Sequence, residues 1–479
     1  MKRFLIRRLH DWGRGIGIVW SKTEPYLPAI TIAALVVGGI CAKFSPKVSD
    51  TVNAIVSSVI DGYGYVAPVA IFLFLTPCLA KLIRTKESSR FTGYVLGWLA
   101  GKRALSCLWA VAATVLFFGF PLLPAQVGSP WEALWSSLKS LGWMATHSSY
   151  FLAIYLGIAV AFVSLKIQRL YNVLDRSARI VETAGEYLGP ITPVFMFAVG
   201  AYIYGLPVHL REQLGPQAEA AFNRSWTLFG YEFDLTSQWG VIGSYVVGAC
   251  LVGVACLMWN LAMLLYTKAI VSDFSIRDYL TKYWLRVYPL LWATSSEALA
   301  TPLNMHLVKR LYPEIKSEVR RLVVGMGSYL NINGTLICVF VLGGLVARML
   351  GLELSALELL LCIPIVFLIG YGVPGIPGEL ILFAGPMAML LHIPEDILPV
   401  YLALYIGLQI GLPDSFRTGS NSTDNCLCAL LLNKVYERSL ALSCSSDAST
   451  ESISAEVEPI IVYSETEEVE EETLAGSRL

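Results

Sequence analysis

Charge is what this sequence has least of. Only 15% of its 479 residues are Asp, Glu, Lys or Arg, where a soluble domain carries roughly 25%. The formal balance is −1 at pH 7, and nothing in it suggests a nucleic-acid partner. The five histidines (His10, His147, His209, His306 and His392) form no HExxH or other ligand pair, which argues against a membrane metalloenzyme. The ten cysteines are scattered through apolar runs without paired metal spacing. Cys426 and Cys428 are two apart and point to different helix faces, so they read as packing groups. Met1–Arg8 is basic, but no small-residue cleavage site follows an apolar core. It reads as an uncleaved cytoplasmic N-terminus.

What fills the chain instead is apolar surface. Hydrophobic residues make up 55%, and the mean hydropathy is +0.61. A bilayer-crossing helix takes ~20 mostly apolar residues. The candidate cores are Ile30–Ala42, Tyr65–Ala80, Leu105–Leu123, Tyr150–Leu165, Ile191–Leu206, Val241–Tyr266 and Leu322–Leu350. Lys and Arg favour cytoplasmic loops, and their clusters alternate with the cores. Lys2, Arg3, Arg7, Arg8 and Arg14 lie inside, then Lys81, Arg84, Lys86 and Arg90, then Lys166, Arg169, Arg176 and Arg179, then Lys268, Arg277, Lys282 and Arg286. Residues 45–64, 121–147 and 207–237 are the outside loops between them. Gly62-Tyr63-Gly64 resembles an ion-filter tripeptide, but it sits in one of these loops with no pore helix before it.

The alternation then breaks. A second basic cluster, Lys309, Arg310, Lys316, Arg320 and Arg321, follows the short stretch YPLLWATSSEALATPLNM. Two inside clusters around one interrupted run predict a re-entrant hairpin, since such a polar tip is tolerated only where it lines a protein cavity. From Leu357 a second run is broken by Gly370, Gly372, Pro374, Gly375, Pro377 and Gly378, with no Lys or Arg between Arg348 and Arg417. It predicts a hairpin from the outer side. Two broken segments opening from opposite faces point to an inverted-repeat transporter. The Ser- and Glu-rich end predicts a disordered cytoplasmic tail.

The last apolar segment contains LPDSFRTGSNSTDNCLCALLL. A charged group inside a membrane helix costs at least ~2.5 kcal/mol and is functional by default. Asp414, Arg417, Thr418, Asn421 and Asn425 fall on one helical face. Asp424 lies about 100° from Asn425. The planar fork of Arg417 suits a carboxylate, and Asp414 can hold an ammonium. Together they suit a zwitterion with an extra acidic group. In GSYLNINGT, Asn331, Asn333, Gly334 and Thr335 interrupt a long apolar run. An unwound turn there would offer carbonyl and amide oxygens to a dehydrated cation.

The order of these features resembles the dicarboxylate/amino acid:cation symporter family, which contains the glutamate and aspartate transporters. TSSEALATP at 294–302 looks like its serine-rich first hairpin tip, NINGT at 331–335 like its NMDGT motif, and GVPG at 372–375 like its second tip. Asp414, Arg417, Thr418 and Asn421 are similar to its final-helix pattern D-x-x-R-T-x-x-N. The resemblance runs from about 148 to 436. It implies an all-α membrane protein of eight transmembrane helices plus two re-entrant hairpins, an inverted-repeat elevator working as a homotrimer in the cell inner membrane, both termini cytoplasmic.

On that plan residues 1–27 are the N-terminus and 28–275 the first six helices. Hairpin 1 is 276–312, the seventh helix 316–350, hairpin 2 356–392, the eighth helix 394–434 and the acidic tail 440–479. Arg417 would bind a substrate's side-chain carboxylate and Asp414 its amino group. Asn421 and Thr335 would reach the main carboxylate, with Thr418 and the tips at Ser295, Ser296, Val373 and Gly375 completing the set. Sodium ligands would come from Gly327, Tyr329, Asn331, Asn333, Asn421 and Asn425. Two carboxylates of the family's sodium sites are amides here, Asn333 and Asn425. This departure favours fewer sodium ions, or protons carried by Glu297, Glu379 or Asp424. No cofactor is implied beyond the co-transported sodium or proton. The readings open at this point are an acidic amino-acid symporter, a C4-dicarboxylate carrier and, more distantly, an anion channel. No catalytic constellation suggests an enzyme.

Overall fold

A computed structural model describes residues 26–86, 90–124, 130–177, 192–215, 222–325, 327, 331–373, 375 and 377–451. Contacts divide the chain into two compact units, Met1–Lys434 and Val435–Leu479. The described residues are almost wholly helical: α1 (Leu27–Phe44), α2 (Pro46–Lys86), α3 (Arg90–Phe118), α4 (Pro130–His147), α5 (Ser149–Lys166), α6 (Thr192–Leu214) and α7 (Gln238–Ile270). After these come a helical turn Ile276–Asp278, a π-helical turn Tyr279–Trp284, then α8 (Leu285–Thr294), α9 (Glu297–Leu311), α10 (Ser317–Val323), α11 (Asn333–Met349), α12 (Ala356–Ile369), α13 (Ile381–Leu390), α14 (Leu398–Gln409) and α15 (Leu412–Glu451).

Among the described residues, four helical stretches are long and apolar enough to cross a bilayer: Leu27–Phe44, Gly93–Phe118, Ser149–Lys166 and Gln238–Ile270. Their outer faces show a surface no soluble protein would leave bare. Val36, Val37 and Ile40 on α1 and Leu152, Leu156 and Phe162 on α5 are exposed. We read that surface as lipid-facing. Helices that cross in lipid need small residues at the contact. At the α1–α6 crossing a Cβ on Gly200 would stand 1.9 Å from the Leu35 carbonyl oxygen.

The centre of the molecule is α11, where every residue but Arg348 is buried. It packs against α3, α7 and α14. Around it the chain breaks where the sequence is polar or rich in glycine. Ser295 takes a left-handed conformation (φ 48°) and ends α8, and the Ser296 hydroxyl caps α9 by accepting from Leu299 N–H at 3.4 Å. The arms α8 and α9 pack together. Helix α12 starts on a Ser355–Glu358 capping box and runs into the 3-10 turn Gly370–Gly372. Gly375 and Gly378 lie at φ +69° and +77°, where a side chain would be strained. The two tips touch: the Glu297 N–H donates to the Gly375 carbonyl at 3.0 Å.

Three stretches differ from the sequence reading. The all-α expectation meets a small antiparallel hairpin, β1 (Ser225–Leu228) and β2 (Tyr231–Asp234), inside the 207–237 loop. Its β-branched and aromatic residues favour strand. Phe229 (φ 50°) and Gly230 (φ 84°) make the turn, and Trp226 stacks on Phe233 at 4.8 Å. At its end, the Thr236 hydroxyl and amide both donate to Asp234 and hold that exposed carboxyl below its ordinary range. The 121–147 loop contains α4, whose Trp131, Trp135 and Trp143 are exposed as in a helix lying at an interface. Finally, α15 extends to Glu451, into the segment expected to be an unstructured tail. Residues 452–479 lie outside the described residues, as does most of the N-terminal segment 1–27.

Candidate functional site

A proline and a short polar run start α15, and polar side chains continue for three turns through a buried stretch. Asp414, Arg417, Asn421, Asp424 and Asn425 are all at most 1% exposed. Such groups are stable only when each donor and acceptor is answered, and the answers come from α11, both hairpin tips and α3.

Helix α11 begins without a side-chain cap of its own. Asn421 supplies one from the neighbouring helix, its Oδ1 accepting from Gly334 N–H at 2.6 Å and Thr335 N–H at 3.2 Å. These are orphan donors of a helix N-terminus. The approach is possible because residue 334 has no side chain: a Cβ there would lie 2.2 Å from the Arg417 carbonyl oxygen. Gly334→Ala is therefore expected to push α11 away from α15 at a cost of about 1–3 kcal/mol. Solute uptake should fall sharply while the protein remains extractable as a monodisperse species.

Arg417 is wholly buried and fully engaged. Its Nε donates to Asp414 Oδ1 at 2.5 Å, Nη1 donates to the Thr335 hydroxyl at 3.1 Å, and Nη1 is ion-paired with Glu379. Both carboxylates are tied to hairpin 2. Asp414 Oδ2 accepts from Gly378 N–H at 3.0 Å, and Glu379 Oε2 accepts from Gly375 N–H at 2.7 Å. The Thr335 hydroxyl donates to Glu379 Oε1 at 3.1 Å and accepts from Asn421 Nδ2 at 2.8 Å. From hairpin 1, Glu297 accepts from Asn421 Nδ2 at 2.7 Å and from the Ser422 hydroxyl at 3.1 Å. The Ser295 hydroxyl lies 3.4 Å from that of Ser415. One guanidinium thus faces two carboxylates directly, with a third one residue away through Asn421. Glu379 meets Arg417 Nη1 with a carboxylate of the protein's own.

A second cluster lies one turn further along α15. Asn331 Nδ2 donates to the Asn421 carbonyl at 3.0 Å and to Asn425 Oδ1 at 2.7 Å. Gly327 leaves room for Asn425, whose Nδ2 would be 2.1 Å from a Cβ at that position. Asn333 Nδ2 donates to Asn331 Oδ1 at 2.6 Å and to Asp424 Oδ2 at 2.8 Å. Into these oxygens comes the ammonium of Lys102 from the middle of α3. It is ion-paired with Asp424, and it donates to Asn331 Oδ1 at 2.7 Å and to Cys428 Sγ at 3.0 Å.

Most of the residues singled out in the sequence therefore converge. Arg417, Asp414, Asn421, Thr335, Glu297 and Glu379 form one hydrogen-bonded cluster, with Ser295, Ser296 and Gly375 at the touching tips and Val373 buried beside them. Asn331, Asn333, Asp424, Asn425 and Gly327 form the second. Thr418 turns back on its own helix, its hydroxyl donating to the Asp414 carbonyl at 2.8 Å. Tyr329 lies outside the described residues.

Lys102 and its neighbour Arg103 were not among the sequence candidates. Arg103 is 1% exposed and stacks on Tyr371 of the second tip, 3.9 Å from the ring centroid. Their signal was two adjacent basic residues inside an otherwise apolar helix. The aromatic rings of the π-helical turn brace the far side of α15, with the Tyr279 hydroxyl donating to the Thr423 carbonyl at 2.9 Å. A helix of buried charges is thus clasped by two broken helices and by the unwound start of a third. Over residues 230–435 the sequence matches the model of the sodium:dicarboxylate symporter family, the same family its motifs resemble.

Proposed function

We propose that this protein is a secondary active symporter that takes up acidic amino acids, glutamate or aspartate, on a cation gradient. The observation that carries the reading is the Arg417 fork held between Asp414 and Glu379. A dicarboxylic amino acid brings one carboxylate to take the place of Glu379 and an ammonium to pair with Asp414. Its second carboxylate fits the donors around Asn421, Thr335 and the Ser295–Ser296 tip. The solute brings a net charge of −1, so the exchange balances only when a cation enters with it, for example a proton on the displaced Glu379 or on Glu297, which matters where water cannot screen a misplaced charge. Hairpin 2 carries Glu379, Gly375 and Gly378, so release of Glu379 from Arg417 and movement of the tip are one event. Glu297, whose partners among the described contacts are neutral donors, and Glu379 are the carboxyls best placed to carry a proton with the solute.

A second reading, a C4-dicarboxylate carrier, draws on Asp414 itself. Both of its oxygens are already used, by Arg417 and by the Gly378 N–H, so it can serve as a structural partner without any ammonium. In either case the family resemblance implies a homotrimeric elevator of the inner membrane; the alternating basic clusters support cytoplasmic termini, and the paired broken helices support the inverted-repeat plan. The deciding experiment is radiolabelled aspartate uptake into proteoliposomes, competed by glutamate, serine, succinate and fumarate. Strong competition by glutamate and weak competition by succinate is expected. The reverse order would replace the amino-acid reading with the dicarboxylate one.

A further inference from the structure

The cluster around Lys102 shows how a buried cation site can be filled by the protein itself. An ammonium has three donors and no acceptor. At Lys102 three acceptors meet it: Asp424 Oδ2, Asn331 Oδ1 and Cys428 Sγ. The side chain is 5% exposed and that of Asp424 is fully buried, so the pair is shielded from bulk water. The oxygens a dehydrated alkali ion would need from Asn331 and Asp424 are therefore taken by N–H donors.

Asn333 fits the same account. Its amide nitrogen stands 2.6 Å from Asn331 Oδ1 and 2.8 Å from Asp424 Oδ2, where a carboxylate would oppose that of Asp424. With an ammonium already present, one negative charge suffices, and the residue at 333 serves as a donor rather than as a second anion.

We propose that Lys102 is a tethered cation. Its ammonium occupies the position between α3, α11 and α15 that a transported monovalent ion would take, so the carrier binds no sodium there. Lys102 neutralises Asp424 and, being tethered, is released to neither side of the membrane, so this site contributes nothing to coupling with a sodium gradient. The inference rests on the symporter reading for its meaning in transport, but its test needs no substrate.

The test is the thermal stability of the full-length protein in detergent, measured in sodium chloride against choline chloride at equal ionic strength. The wild type is expected to unfold at the same temperature in both. Lys102→Ala removes the ammonium and leaves Asp424 with the amide oxygens around it. It should acquire a saturable, sodium-specific rise of several degrees, and adding Asp424→Asn should abolish that rise. Failure of substrate uptake would sink the functional reading while leaving this result intact. A folded Lys102→Ala that ignores sodium would overturn the proposal. So would a sodium-specific rise in the wild type that Asn331→Ala removes. If Lys102→Ala is recovered only when purified in sodium, the proposal stands. If it is recovered in neither salt, the wild type decides: indifference to sodium, or a rise that Asn331→Ala leaves in place, supports the tethered cation, and a saturable rise that Asn331→Ala removes refutes it.

Discussion

Arg417→Cys is expected to reduce uptake of acidic solutes by at least ~100-fold, because removing one partner of a buried charge pair costs about 3–5 kcal/mol and each 1.4 kcal/mol is about tenfold in an equilibrium. The effect has two parts. The substrate loses the only guanidinium in the cluster, and Asp414 and Glu379 are left buried without their shared cation. The second part threatens folding rather than binding, so the companion variant is Arg417→Cys with Glu379→Gln. It removes one surplus carboxylate and should restore a monodisperse protein while leaving acidic uptake absent. A small neutral amino acid then has room where the guanidinium was, and its uptake should appear or rise. The measurement is labelled aspartate and serine uptake by both variants in proteoliposomes. Aspartate uptake at the wild-type rate by either folded variant would remove Arg417 from the binding site.

Arg417 was legible because its cost is local. A guanidinium in an apolar segment has no cheap explanation, and its neighbours at 414, 418, 421 and 425 set the face from helical spacing alone. The helix breaks were legible for a related reason: Ser295–Ser296, Asn331 and the glycines and prolines of 370–378 continue an apolar helix poorly.

Lys102 was not legible. The apolar core on its helix begins at Leu105 by hydropathy, which leaves Lys102 and Arg103 as flanking basic residues of the kind that snorkel to an interface. Helix α3 in fact begins at Arg90, about four turns earlier, and this puts both residues inside the span. Their burial depends on Asp424 and Tyr371, hundreds of residues away in sequence, and no window along one chain contains that fact. The β1–β2 hairpin was hidden in the same way, since its four-residue strands are too short for periodicity to stand out from a polar loop. Thr418 is a different case. Its position on the polar face was read correctly, but a threonine in a helix can satisfy itself on the carbonyl four residues back, and here it does.

Asp414→Asn separates the two readings of the solute. The substitution keeps the shape of the side chain and one of its two acceptors, toward the Gly378 N–H or the Arg417 Nε–H, while it removes the charge that would meet an ammonium. Loss of a buried ionic contact of this kind is worth roughly 2–5 kcal/mol, so aspartate uptake should fall by at least ~10-fold. Succinate has no ammonium to lose, and its uptake should change far less. It could even improve, because the guanidinium of Arg417 would then be shared with one carboxylate of the protein rather than two. Glu379 gives the internal comparison: Glu379→Gln should ease entry of any carboxylate to Arg417, lowering the apparent KM for aspartate and succinate alike, since both displace the same group. A selective effect of Asp414→Asn together with a uniform effect of Glu379→Gln would assign the ammonium to Asp414 and the carboxylate exchange to Glu379. Equal loss of both solutes in Asp414→Asn would instead make Asp414 a strut that holds Arg417 against the Gly378 turn, and the dicarboxylate reading would then be the better account of the site.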